Sequence, residues 1–432
     1  MRKLIIFGLF ILGMSLSYAI GLPGGKERET EFSTQPNQTT SIPPDTTLQI
    51  SVNKGEYIIV YDKATRTKIL DMPFIRDSAG TAEVDSFYIR IARSLYLDNL
   101  YKIDPNAQIF GATAASCFVR MRSDIGFAMQ LKNKSRLKNS KGIRTLQDNF
   151  NIRIQLPTIR TRDLNTSEII PWGVVQVSQV PKPSRTYPAA WVLDTGIDLF
   201  HPDLNVDRQH SRSFVAGERV DDFSGHGTHV SGIIGAKYNG RGVAGVAPNT
   251  PIRALKVISM RNDIKISELQ SALNYVLVYS RPGEVVNLSF VSSFGLANDA
   301  GLISAIAEKG VYVTIAAGNK SNMFSGLPEN IDTYLGGVFP ASINGRNIYT
   351  VGAFDQTLVA ASFECYGNSV DYSQPGVAIL SCLPGGLYGE MDGTSMASPH
   401  LAGLLLLTNG NVKTAGSVQC PHNGNLLPIA HE

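Results

Sequence analysis

Residues Ala189-Ala190-Trp191-Val192-Leu193-Asp194-Thr195-Gly196 decide how the chain is read. An unbroken apolar run of this length fits a strand buried on both faces. Such strands belong to mostly parallel sheets covered by helices. The surroundings agree. From about Pro157 onward, further strands are predicted at 252–258, 285–290, 311–316 and 348–353. Helices are predicted between and after them at 228–236, 267–279, 299–309 and 395–408. Ser267 and Gln270 have the spacing of a capping box at the start of the second helix. Gly310 supplies a stop for the third. This alternation predicts one α/β domain over residues 157–432, three-layered with a mostly parallel central sheet.

Upstream, residues 48–156 read as a small α+β domain. Strands are predicted at 48–52 and 57–61 about Asn53-Lys54-Gly55, with a helix at 84–97. A strand pair is predicted at 117–121 and 127–131 around Ser123-Asp124-Ile125-Gly126, and a last strand at 151–156. Residues 20–47 are rich in Gly, Pro, Thr and Gln and have linker composition. Residues 1–19 begin with Arg2 and Lys3, run apolar over 4–14, and place Ser17 and Ala19 before a cut after Ala19. That is the secretory signal pattern. The apolar run falls short of the roughly 20 residues needed to span a bilayer. The mature chain is expected outside the cytoplasm, secreted or periplasmic.

The 432 residues suggest about three segments. With 43% apolar and 17% charged residues the chain is not a disordered one. A net charge of +3 gives no broad basic field for nucleic acid. That average hides an asymmetry: residues 20–156 hold 19 Lys and Arg against 14 Asp and Glu, and residues 157–432 hold 18 against 22. The basic excess concentrates at Lys132, Lys134, Arg136, Lys138, Lys141 and Arg144. It reads as a solvated loop or as a patch steering the basic domain onto the acidic one. Four cysteines are too few for a disulfide scaffold. Cys365 and Cys382 are the expected pair, with Cys420 left over and Cys117 in the upstream domain.

Four pieces carry chemistry. Asp194 ends a buried strand, where ligands and catalytic groups gather in open α/β sheets, although Asp there is often a turn residue. Asp198 reads as such a turn or surface group. In Gly225-His226-Gly227-Thr228-His229 the histidines stand three apart with no following Glu, which does not fit the helical zinc pair. The flanking glycines leave His226 approachable and make it the candidate base, with His229 a core residue. In Gly393-Thr394-Ser395-Met396-Ala397-Ser398-Pro399-His400, Ser395 opens an apolar helix, either as a cap or as a nucleophile among unpaired N–H groups. Asn319 follows the strand-like Val313-Thr314-Ile315-Ala316 and could donate to an oxyanion.

Together these resemble the subtilisin-like serine proteases, over most of residues 157–432. The resemblance extends to His201-Pro202-Asp203-Leu204, Gly242-Val243-Ala244-Gly245-Val246-Ala247-Pro248 and Val286-Asn287-Leu288-Ser289. The chain order Asp, His, Ser differs from that of the α/β-hydrolases, whose His comes last. The resemblance implies a serine endopeptidase acting on protein or peptide substrates. Asp194 would orient, His226 accept the proton and Ser395 attack, with the Asn319 amide and the Ser395 N–H holding the oxyanion. It implies no cofactor for the chemistry, and a structural calcium ion at Glu168, Asp203 and Asn239. Residues 48–156 would be a propeptide that aids folding, inhibits the enzyme as an intramolecular partner, and is cut away between about Leu156 and Ile170. A monomer with no nucleic-acid partner, and no membrane partner once the signal is removed, is expected. Phe290-Val291-Ser292-Ser293 departs from the family's small, glycine-rich cleft segment, and residues 411–432 stand where a terminal helix is usual. The competing class is a silent binding protein on the same fold, for which the intact set Asp194, His226, Ser395 and Asn319 would have no use.

Overall fold

The computed structural model describes residues 50–432 apart from 71–80, 115, 122–126, 140–142, 155, 163, 165–166, 179–185, 293–296, 321–328 and 333–337. The expected signal and linker segments lie outside the described residues.

The upstream domain runs β1 (Ile50–Tyr61), α1 (Lys63–Leu70), α2 (Thr81–Ile103), β2 (Gln108–Ala112), β3 (Ser116–Arg120), α3 (Phe127–Lys138) and β4 (Ile143–Arg153). Two readings are corrected here. The strand-turn-strand expected about Asn53-Lys54-Gly55 is one long strand: Gly55, at φ +76°, lies in a register shift along β4 and takes up a bulge instead of a reversal. The strand expected at 127–131 is the start of α3, where Asn133 and Leu137, one helical turn apart, are buried. A short apolar run cannot by itself separate strand from helix.

The larger domain continues with β5 (Arg160–Arg162), α4 (Trp172–Val177), β6 (Ala190–Asp194), β7 (Asn205–Val206), β8 (Arg212–Ser213), α5 (His226–Gly235), β9 (Pro251–Lys256), β10 (Asp263–Lys265) and α6 (Ile266–Tyr279). Then come β11 (Val285–Leu288), α7 (Ala297–Glu308), β12 (Tyr312–Ala316), β13 (Ile348–Phe354), β14 (Val370–Pro375), β15 (Ile379–Leu383), β16 (Leu387–Met391), α8 (Thr394–Thr408), β17 (Lys413–Gln419) and β18 (Leu426–His431). The central sheet has the order β17-β18-β14-β13-β12-β11-β6-β9-β7, with β8 also on β9, and every pairing but β17–β18 is parallel.

All five residues of β6 are buried, and they alternate between two cores. Trp191 and Leu193 face Leu269, Leu273 and Val276 of α6 and Ile303 and Ile306 of α7. Ala190 and Val192 face Ile233 and Ile234 of α5 and Leu401 and Leu405 of α8. The period-two alternation of a strand thus makes three layers, the α/β architecture expected. Residues 411–432 form a hairpin that adds β18 to the sheet beside β14. Cys365 lies in the first core and Cys382 in the second, so the expected pair is not made, and all four cysteines are free buried thiols.

The two domains share structure. In β1, Ile58 and Val60 join the core built on α6, while Tyr57, Ile59 and Tyr61 pack into the upstream domain's own core. β10, from the larger domain, pairs antiparallel with β4 and completes the upstream five-stranded sheet. Ser267 and Gln270 do not close a capping box, since the N-cap of α6 is Lys265 without a side-chain cap bond. They reach across instead: Ser116 Oγ donates to Gln270 Oε1 at 2.7 Å, and Asn149 exchanges bonds with Ser267 at 3.1 and 3.2 Å. Glu56 accepts from Lys265 at 3.0 Å, so this cross-domain ion pair has the opposite polarity to the basic-onto-acidic steering considered above. Within the basic run, Lys134 pairs with Asp148 of its own domain.

Candidate active site

The site forms at the carboxyl ends of the parallel strands. Leu193 of β6 and Leu288 of β11 are register partners, so Asp194 and Ser289 sit at neighbouring strand ends, about 4.8 Å apart in the sheet direction. Each holds one element of the site. Asp194 Oδ1 accepts from His226 Nδ1 at 2.7 Å and from the Thr195 N–H at 2.7 Å. Ser395 Oγ donates to the Ser289 carbonyl at 3.0 Å, while Ser289 Oγ donates to the Ser395 carbonyl at 2.8 Å. Asp194 is fully buried, His226 is 1% exposed and Ser395 is 9% exposed, so the hydroxyl is the member with an opening.

His226 is the first residue of α5. Gly225 before it has φ +86°, which a side chain would strain, and a Cβ on Gly227 would lie 2.3 Å from the Gly196 carbonyl. The glycines therefore let the helix start directly against the end of β6. Burial opposes a charge on the imidazole, but Asp194 and then Asp222 outweigh it and raise its pKa above the ordinary histidine value. Among the described residues, His226 Nε2 has no hydrogen-bond partner. The imidazole is thus anchored at one nitrogen, and the other is buried and unpaired.

α8 begins at Thr394, and first-turn N–H groups, Ser395 among them, have no acceptor within the helix. Asn319 fastens to this end. Its Oδ1 accepts from the Thr394 N–H at 3.0 Å and from the Thr394 hydroxyl at 2.9 Å, which leaves Nδ2 as the remaining polar group of the side chain. Asp194, His226, Ser395 and Asn319 thus hang from the ends of neighbouring elements. Asp198 lies apart, accepting from the backbone of Phe200 and Gly385 as a turn residue does. His229 is buried, bonds the Gly389 carbonyl through Nε2, and is pushed down to about 3 by burial, so it stays neutral in the core.

Three supports had no role assigned from the sequence. Asp222 accepts from the Thr195 hydroxyl, the Gly225 N–H and both the N–H and the hydroxyl of Thr228 at 2.7–2.9 Å, tying the start of α5 to the end of β6. Its signal was available, four residues before His226 and just ahead of a helix. Asn287 joins Ser289, Thr314 and Ser398 at 2.7–3.0 Å, which fixes α8 to β11 and β12. Buried Lys256 donates to the Thr195 carbonyl at 2.5 Å.

The subtilase family model matches residues 191–417, more than half of the chain and all four of the residues above. The chain belongs to the subtilase family. Among relatives, this subtilase is 34% identical over 247 residues to Subtilisin from Bacillus pumilus, covering 85% of that protein and 56% of this one. It is 34% identical over 247 residues to Subtilisin NAT from Bacillus subtilis subsp. natto, covering 61% of that protein. To the alkaline protease of Alkalihalobacillus alcalophilus it is 35% identical over 258 residues, 59% of this chain and 63% of that protein. It therefore spans less than two thirds of the length of several of these relatives. A solved cold adapted subtilisin-like serine proteinase is 28% identical, covers 56% of this chain and 85% of that one, and superposes with a TM-score of 0.46.

The residues expected to bind calcium come together in this subtilase, but as a closed network. Glu168 accepts the Asn239 and Gly240 N–H groups at 2.9 and 3.0 Å. Asp203 accepts from Asn239 Nδ2 at 3.0 Å, the Val243 N–H at 3.1 Å and the Tyr388 hydroxyl at 2.7 Å. Asn239 turns its NH₂ toward Asp203, and its oxygen accepts the Arg241 N–H at 3.2 Å. Calcium needs six to eight free oxygens, and here protein donors occupy the side-chain oxygens of all three, so the donor set does not fit the ion. Among the described residues, no group of three or more His, Cys, Asp or Glu is arranged to hold a metal. None of the described helices is long and apolar enough to cross a membrane.

Proposed function

We propose that this subtilase is a secreted serine endopeptidase, made as a self-inhibited zymogen, that hydrolyses protein or peptide bonds with Ser395. The observation that carries the reading is the buried 2.7 Å Asp194–His226 pair with Nε2 left without a partner, in a chain whose Ser395 stands at the start of a helix. Ser395 Oγ leaves the Ser289 carbonyl, turns to Nε2, gives up its proton there and attacks the substrate carbonyl carbon. Asp194 keeps the imidazole in the Nδ1–H tautomer and stabilises the imidazolium. Asn319 Nδ2 and the Ser395 N–H hold the oxyanion. The imidazolium then protonates the leaving amine, and water repeats the sequence on the acyl-enzyme.

The zymogen reading is supported by the chain's course from one domain to the next. β4 pairs with β10 and the Ile154 N–H donates to the Asn262 carbonyl, while a few residues on β5 pairs with β16, just ahead of Ser395. Arg160 and Arg162 pin that second end to Asp392 and Glu390. Ile159 lies beside Gly225, Leu383 and Pro384, next to His226. The connection thus passes the site held at both ends, as a tethered substrate would. The cut falls between Ile154 and Arg160, within or just before the start of the wider interval read from the sequence. N-terminal sequencing of the processed protein tests this; a new terminus beyond Arg162 would contradict it.

The raised His226 pKa sets the pH dependence. The base works neutral, so kcat/KM rises with pH through that pKa, which lies above the ordinary histidine value. Because Asp222 contributes to the rise, Asp222→Asn is expected to move the acid limb of the profile to lower pH. It is also expected to reduce kcat/KM by about 10–100-fold, the scale of losing a charge-assisted hydrogen bond worth about 1.5–3 kcal/mol. A pH–rate profile on a peptide substrate reads both effects.

A further inference from the structure

The loop that resembles a calcium site carries two cations of its own. Lys237 Nζ donates to the Pro202 carbonyl at 3.0 Å, and Arg241 Nη2 reaches the same oxygen at 3.5 Å. Arg241 Nε stands 3.8 Å from Asp203 Oδ1. Asp203 is fully buried, and a buried carboxylate requires either positive charge or several donors. The loop brings both. Gly242, at φ +63°, passes so close that a Cβ there would lie 2.0 Å from Asp203 Oδ2, which lets the Val243 N–H reach the carboxylate. The Lys237 N–H donates to the Asp203 carbonyl at 2.8 Å, so the loop is fastened to residues 202–203 by backbone as well as by charge.

We propose that Lys237 and Arg241 take the place of a calcium ion, so that the 237–243 loop is held to Pro202 and Asp203 by the protein's own cations and to Glu168 by its backbone N–H groups, and keeps its conformation without the metal. An external divalent ion entering here would have to displace two positive groups and strip the donors from both carboxylates. The loop joins α5, which carries His226, to the segment leading into β9, so its order supports the site without any ion supply. For a chain working where calcium is scarce or chelated, that removes a condition for stability.

The test is local and needs no catalysis, so it stands or falls separately from the proposed protease activity. Amide hydrogen exchange over residues 237–243 is measured on the full chain carrying Ser395→Ala, in millimolar calcium and in chelator. An ion bound at 100 times its Kd would slow exchange through local opening about 100-fold. The expected result is the same exchange in both conditions. The double variant Lys237→Ser/Arg241→Ser is expected to exchange faster than its parent in chelator. Slower exchange of the parent loop in calcium would overturn the proposal, and so would a double variant that exchanges like its parent in chelator.

Discussion

Ser395→Ala is expected to abolish hydrolysis and leave the chain uncut. The loss of activity should be on the order of 10⁶-fold, the scale known for removal of the triad nucleophile in a subtilisin. No other described hydroxyl stands to replace it: Ser289 Oγ is committed to the Ser395 carbonyl, and Ser398 Oγ to Asn287. The fold should survive, because Ser395 Oγ makes a single hydrogen bond, to the Ser289 carbonyl, worth about 1 kcal/mol. Purified and refolded alone, the variant should keep its full mass, whereas the parent shortens within the 154–160 connection. A variant that shortens like its parent under those conditions would remove self-cleavage from the mechanism.

Asn319→Ala is expected to lower kcat by about 10²–10³-fold, or about 2.7–4 kcal/mol of barrier, a magnitude that itself comes from a subtilisin. KM should move little, because the amide donates to charge that develops only in the transition state. The substitution also deprives the Thr394 N–H and hydroxyl of their acceptor. A fall in thermal stability should therefore accompany the kinetic loss, and kinetics are read well below the variant's melting temperature. A variant with unchanged kcat and raised KM would make Asn319 a ground-state binding residue instead.

Much of the larger domain was legible because buried parallel strands are written as continuous apolar runs. The stretch from Ala189 to Gly196 needed no partner to be read, and the chemistry-bearing residues followed at the strand ends. What escaped was set by tertiary contact. Ser267 and Gln270 have a helix-capping spacing, yet their side chains serve the domain boundary, where buried Asn149 and Ser116 need partners. Phe127 and its neighbours could be strand or helix until packing put Asn133 and Leu137 inside. The tail looked irregular because Gly416 and Gly424 break up β17 and its turn, and only its pairing with β14 makes it part of the sheet. The calcium expectation matched acids and amides by position, whereas Lys237 and Arg241, two and six residues beyond the helix end, bring positive charge to Pro202 and Asp203.

The most direct test of the account is to treat the processed protein with a serine-directed fluorophosphonate and map the adduct by peptide mass spectrometry. One adduct at Ser395, formed faster as pH rises through the His226 pKa and absent from His226→Ala, is expected. No adduct on correctly folded processed protein, or an adduct at another serine, would contradict the assignment of Ser395 as nucleophile and leave a silent binding protein on the subtilase fold.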